Sequence, residues 1–302
     1  MADYKVLIPL DGSPLAEHSL TFLPALTHLG ALTPHLLSVV DETEEIHSLS
    51  SDEVKERERN VLTTYLHETA ADIERLYGLT ATFEVQTGTP AEIIQRRLQE
   101  LSPELLVIST HGRSGVSRWR RGSVAAQLLH SATCPILAVG PRAVEQGEWR
   151  EGEPTSSFNS ILVPLDGSDL AEGALSSAAE LAQRFGSKIH LVRTVQIRVP
   201  ADPDTGAGNI DLTSQLEDAA VNYLTYARAK MPDPAKVVID VRLGAPATAL
   251  GEYISAEKID LVMMTSHGRS GLVRAALGSV TDRLVGNASA PVLVVRSPTE
   301  SA

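Results

Sequence analysis

Val6-Leu7-Ile8-Pro9-Leu10-Asp11-Gly12-Ser13 returns in the same chain as Ile161-Leu162-Val163-Pro164-Leu165-Asp166-Gly167-Ser168. A short apolar run stopped by Pro, Asp, Gly and Ser reads as a buried strand, then a turn, then a helix start. The echo goes on. Leu15-Ala16-Glu17 matches Leu170-Ala171-Glu172, and His111-Gly112-Arg113-Ser114-Gly115 matches His267-Gly268-Arg269-Ser270-Gly271. Gly122-Ser123-Val124 matches Gly278-Ser279-Val280, and Cys134-Pro135-Ile136-Leu137-Ala138-Val139 matches Ala290-Pro291-Val292-Leu293-Val294-Val295. The unit written twice is a whole domain, not a short solenoid repeat.

Outward from these anchors, each copy reads β-α-β-α-β-α-β-α-β. In the first, strands are expected at Lys5–Leu10, His35–Val40, Thr80–Gln86, Leu105–Ser109 and Ile136–Val139. Helices are expected at Leu15–Leu29, Asp52–Tyr77, Pro90–Leu101 and Gly122–Ser131. Pro90 sits where a first helical turn accepts it. The second copy repeats the order from Ser160–Leu165 to Pro291–Val295. Short apolar strands alternating with helices imply a parallel sheet covered on both faces. The expected fold class is therefore α/β: two tandem doubly wound domains, each a five-stranded parallel sheet with helices on both faces. We place domain one at 1–142, a polar Gly/Pro/Ser-containing linker at 143–158, domain two at 159–297 and a tail at 298–302. Trp149 is read as a surface anchor of the linker at most.

The chain has 302 residues and a formal net charge of −12, which argues against broad contact with a nucleic-acid backbone. One cysteine, Cys134, rules out an intramolecular disulfide, and its apolar surroundings suggest an inert buried thiol. No apolar run approaches the ~20 residues of a membrane helix, and no secretory signal pattern opens the sequence. A cytoplasmic protein without a membrane partner is expected.

The repeated polar motifs all follow strand ends, where doubly wound folds hold their ligands. Asp11 and Asp166 can accept hydrogen bonds from an adenine amino group or a ribose hydroxyl; a helix cap is the equal alternative. Nine residues separate Gly112 from Gly122, and nine separate Gly268 from Gly278. Glycine admits a phosphate close to the backbone. Ser123 and Ser279 add hydroxyls at helix starts, where free N–H groups and the helix dipole favour an anion. A glycine-rich turn with an ordinary cap would look the same. Arg113 and Arg269 in these loops fit phosphate contact. Neither a P-loop nor a GxGxxG fingerprint is present. His111 and His267 have no nucleophile paired with them in both copies, so they are expected to contact phosphate or backbone. No Cys/His spacing suggests zinc.

Together these residues resemble the universal stress protein family in its tandem form, over about residues 3–141 and 159–297. The resemblance implies an adenine nucleotide alpha hydrolase-like, Rossmann-like fold and a loop of pattern G-x2-G-x9-G-[ST] that binds ATP, with Mg2+ as a companion ion. Gly112, Gly122, Ser123, Gly268, Gly278 and Ser279 match the loop. Ser109 and Thr265 stand where its first glycine belongs. By the same resemblance Asp11 and Asp166 meet the adenosine, and Pro9, Leu10, Pro164 and Leu165 line the base. Val39 and Thr194 pack beside it, and Ile108 and Met264 flank the pocket. Val124, Val280 and Thr281 continue the phosphate-binding helix starts. The two fifth strands are expected to pair as an intramolecular pseudo-dimer, with a homodimer of whole chains as a further expectation. The implied role is a stress-response sensor or regulator, not an enzyme. A slow ATPase or nucleotide hydrolase, and a nucleotide-free interaction module, are the alternatives.

Overall fold

The computed structural model describes residues 3–42, 51–111, 123–144, 149–196, 208–233, 236–266 and 278–296. In the first repeat the order is β1 (Asp3–Pro9), α1 (Pro14–Glu17), α2 (Leu23–Leu26), β2 (Ala31–Asp41), α3 (Ser51–Tyr77), β3 (Thr82–Gly88), α4 (Pro90–Leu101), β4 (Leu105–Ser109), α5 (Ser123–Ser131) and β5 (Ile136–Val139). The second repeat runs β6 (Ser160–Pro164), α6 (Asp169–Glu172), α7 (Ala174–Phe185), β7 (Lys188–Val195), α8 (Gly208–Ala229), β8 (Val237–Leu243), α9 (Pro246–Ala256), β9 (Leu261–Ser266), α10 (Ser279–Asn287) and β10 (Val292–Arg296).

The described strands form one ten-stranded sheet in the order β3-β2-β1-β4-β5-β10-β9-β6-β7-β8. Within each repeat every pairing is parallel. The strands are buried on both faces because helices cover both. Val6 and Ile8 point into one layer with α3, while Leu7 points into the other with Ile94 of α4 and Leu128 of α5. That is why the runs are continuously apolar rather than alternating. β5 and β10 pair antiparallel at the middle, with Leu137 opposite Leu293 and Ile136 opposite Val294. Each strand thereby satisfies what would otherwise be an open sheet edge.

One local expectation is corrected. Leu15–Leu29 is not one helix but α1, a 3-10 turn over His18–Phe22, α2, and a second 3-10 turn over Thr27–Leu29. The break has a specific cause. Ala25 N–H donates to the Thr155 carbonyl at 3.0 Å, and Thr155 N–H donates to the Thr21 carbonyl at 3.0 Å. Thr155 thus sits between the two groups that an α-helix would join directly. Pro24, which has no N–H, leaves the neighbouring rung open as well.

Trp149 anchors its segment on the first repeat, as expected, and is 3% exposed. Its Nε1–H donates to Glu17 Oε2 at 2.7 Å, and Arg150 bridges Glu17 at 2.7 Å and Asp72 at 2.6 Å. Farther along, Phe158 stacks on Phe22 of the first repeat and meets Phe185 of the second edge-on. Trp149 and Phe158, from the segment between the repeats, are therefore packed into the fold.

Candidate functional site

The strand order turns around between β1 and β4, and again between β6 and β9. Beyond the carboxyl ends of these strands the crossovers diverge to opposite faces and leave a crevice. Pro9–Ser13 leaves β1 and Ser109–His111 leaves β4 at the first crevice. Pro164–Ser168 leaves β6 and Thr265 closes β9 at the second.

Each Asp-Gly-Ser corner is built the same way. Asp11 Oδ1 accepts from the Ser13 N–H at 2.9 Å and from the Ser13 hydroxyl at 2.6 Å. Ser13 Oγ in turn accepts from Ala16 N–H and caps α1. Asp166, Ser168 and Ala171 reproduce the set at 2.9, 2.6 and 3.2 Å. The serine is therefore the helix cap, and the aspartate fixes the turn that presents it. Gly167 makes the turn at φ +92, and a Cβ there would stand 3.3 Å from Arg193 Nη2. Burial alone would raise the Asp166 carboxyl. The Ser168 hydroxyl and backbone N–H groups, with the Arg193 guanidinium, outweigh burial and hold it below the usual aspartate range.

In the first repeat, Leu10 N–H donates to the Leu37 carbonyl, and the buried Ser38 hydroxyl donates to the Leu10 carbonyl at 2.6 Å. These bonds hold Pro9 and Leu10 beside β2, on which Val39 is half-buried. Ile108 is buried, and the Ser109 hydroxyl donates to the His111 carbonyl at 2.8 Å. His111 Nδ1 lies 3.0 Å from Thr110 Oγ1, and burial pushes the imidazole below the usual histidine range. Ser123 and Val124 open α5. Gly112, Arg113 and Gly122 lie outside the described residues.

In the second repeat, Pro164, Leu165, Asp166, Thr194, Met264, Thr265, Gly278, Ser279, Val280 and Thr281 all line one open cleft of about 370 Å³. His267, Gly268 and Arg269 lie outside the described residues. At the position of the missing first glycine, the Thr265 hydroxyl donates to the Leu170 carbonyl at 2.5 Å and ties β9 to α6. Gly278 is the N-cap of α10 with φ −55 and ψ 143, a conformation open to any residue. A Cβ there would have only Thr281 Oγ1 within 4 Å, at 3.8 Å, among the described residues.

The cleft holds residues that the sequence reading missed. Val192, Pro246 and Leu250 extend its apolar wall, and Arg296 of β10 reaches it. Leu129 and His130 reach it from α5 of the first repeat, so the second cleft is walled by both repeats. Arg193 beside Asp166 was also missed. The signal lay in the aligned copies, where Ser38 stands for Arg193 and Gly140 stands for Arg296.

Chemically, the cleft pairs an apolar wall with a carboxylate corner, hydroxyls and a helix start. Pockets of about 300–1,000 Å³ with few convergent polar groups suit small-molecule ligands. Among the described residues no group of three or more His, Cys, Asp and Glu could hold a metal ion. No described helix is long and apolar enough to cross a membrane.

Comparison with known proteins agrees with this architecture. The Universal stress protein family profile matches residues 4–140 and again 157–296. A universal stress protein of Methanocaldococcus jannaschii is 32% identical over 155 residues, 49% of this chain and 87% of that protein. One of Mycolicibacterium smegmatis is 29% identical over 268 residues, covering 87% of this chain and 81% of that one. In fold, the crystal structure of a universal stress protein from Archaeoglobus fulgidus superposes with a TM-score of 0.68 at 20% identity, over 97% of this chain and 98% of that chain. Both repeats are matched separately and the fold is shared along the length: the chain belongs to the universal stress protein family, in its tandem two-domain form.

Proposed function

We propose that this chain binds an adenine nucleotide, ATP foremost, in each repeat and acts as a nucleotide-responsive regulator of a stress response. The domains are taken as 1–142 and 159–297. The observation that carries the reading is the second cleft, where residues from seven separate segments meet at the turning point of the strand order. Leu165, Val192 and Met264 supply apolar surface for a base. Asp166 supplies an acceptor for a ribose or an amino group. Gly278, Ser279 and Thr281 supply an open helix start for phosphate, with the α10 dipole favouring its charge. Among the described residues only Thr281 Oγ1 lies within 4 Å of a Cβ built on Gly278, at 3.8 Å, which leaves room for a ligand. Bound Mg2+ would travel with the phosphates.

The test is to denature protein purified without added nucleotide and identify what it releases by anion-exchange chromatography and mass spectrometry. Wild type, after brief loading with ATP and desalting, should release adenine nucleotide; Asp166→Ala should release clearly less. Release of no nucleotide from loaded wild type would end the proposal. Sustained phosphate production lost in Asp166→Ala would favour slow hydrolysis over regulation by binding.

A further inference from the structure

The two clefts differ at one position that the pseudo-symmetry makes directly comparable. β5 and β10 correspond residue for residue, so Gly140 after β5 is the counterpart of Arg296 at the end of β10. Both abut the C-terminal end of the other repeat's last helix. Arg296 Nη2 donates to the Leu129 carbonyl of α5 at 3.3 Å. A Cβ on Gly140 would stand 3.1 Å from the Val285 carbonyl of α10. The first repeat thus has no room for a side chain where the second carries a guanidinium. Arg296 also lines the second cleft together with Ser279 and Thr281 of the helix start. It is half-buried, which strengthens its interaction with any anion there.

We propose that Arg296 is a specificity-determining residue of the second cleft, reading the phosphate chain of the nucleotide so that this cleft discriminates by phosphate number. The inference rests on the nucleotide reading given above. A guanidinium offers paired donors in a planar fork that matches phosphate oxygens. The Leu129 carbonyl, which Arg296 Nη2 now meets, is neutral and a weaker acceptor than a phosphate. Arg296 can therefore exchange a helix-end carbonyl for a charged ligand. Gly140 offers the first cleft no such group.

Both clefts can be followed in one intact chain. The protein is photolabelled with 8-azidoadenosine, labelled peptides are assigned to each repeat by mass spectrometry, and ATP, ADP and AMP compete. In wild type, ATP should outcompete AMP at the second cleft by about tenfold or more. In Arg296→Gln that preference should fall about tenfold, with protection by adenosine changed less than about twofold and the first cleft unaffected. Arg296→Lys, which keeps the charge and loses the fork, should lie between, and it carries the test if Arg296→Gln fails to fold. An unchanged ATP-to-AMP ratio in these variants, with only a lowered melting temperature, would show that Arg296 merely caps α5 and would overturn the inference. Absence of labelling at both clefts of wild type would instead overturn the nucleotide reading itself.

Discussion

A Cβ built on Gly278 lies 3.8 Å from Thr281 Oγ1, an ordinary van der Waals distance. Among the described residues nothing requires a glycine there, and its φ of −55 is open to alanine. What a methyl group would occupy is the space in front of the α10 N-terminus. Gly278→Ala should leave stability within about 1 kcal/mol, because a small N-cap loss is offset by lower unfolded-state entropy. It should weaken ATP binding at the second cleft by about tenfold. Thermal melting and titration calorimetry on the same preparation separate the two effects. A large loss of stability with unchanged affinity would mark the glycine as structural.

The segment between the repeats should behave as part of the first domain's core. Trp149→Ala removes a 3%-exposed indole and should cost about 3–5 kcal/mol. Arg150→Ala leaves Glu17, 8% exposed, and Asp72 without their shared cation and should cost about 1–3 kcal/mol. Hydrogen bonds from Arg150 and Arg75 hold the Asp72 carboxyl below its ordinary value of 3.8. Its stabilising contribution is thus complete above that value and is lost as pH falls through the lower folded one. Urea midpoints of wild type and Arg150→Ala should converge on acidification. A constant gap between them down to about pH 2 would contradict this coupling.

Much of this was legible from the repeat alone. Val6–Ser13 and its echo announce a parallel strand, a turn and a capped helix, because a short apolar run ending in Asp-Gly-Ser admits few other geometries. Pro90–Leu101, Leu105–Ser109 and Ile136–Val139 are bounded by local signals and fall where expected. Leu15–Leu29 was misread because the group that breaks it, Thr155, is remote in sequence. Trp149 reads as an anchor on a domain surface, but the depth of its burial depends on Glu17, remote in sequence, which receives its N–H. Asp166, Thr194 and Ser279, which the resemblance groups together, do line one cleft. Arg193, Arg296 and Leu129 were not, since their places depend on how strands and repeats pack.

Histidines give the fold a second acid sensitivity at higher pH. Burial pushes the His18, His111 and His190 imidazoles below 6.5. A histidine held neutral in the fold binds its proton more readily when unfolded. Their contribution is therefore complete above about pH 6.5 and declines as pH falls below it. The urea midpoint should be lower at about pH 5.5 than at about pH 7.5. His190, 2% exposed and 2.7 Å from the Tyr253 hydroxyl, should give the most depressed imidazole titration by NMR. A midpoint that rises on acidification would refute the assignment.

The central claim is that the crevice beyond β6 and β9 is a nucleotide site. Titration calorimetry of ATP into nucleotide-stripped wild type and into Asp166→Ala tests it most directly. Wild type should show saturable binding at one site per repeat, and Asp166→Ala should lose the second-repeat site while keeping the first. No saturable binding to wild type, or an isotherm unchanged by Asp166→Ala, would contradict the account.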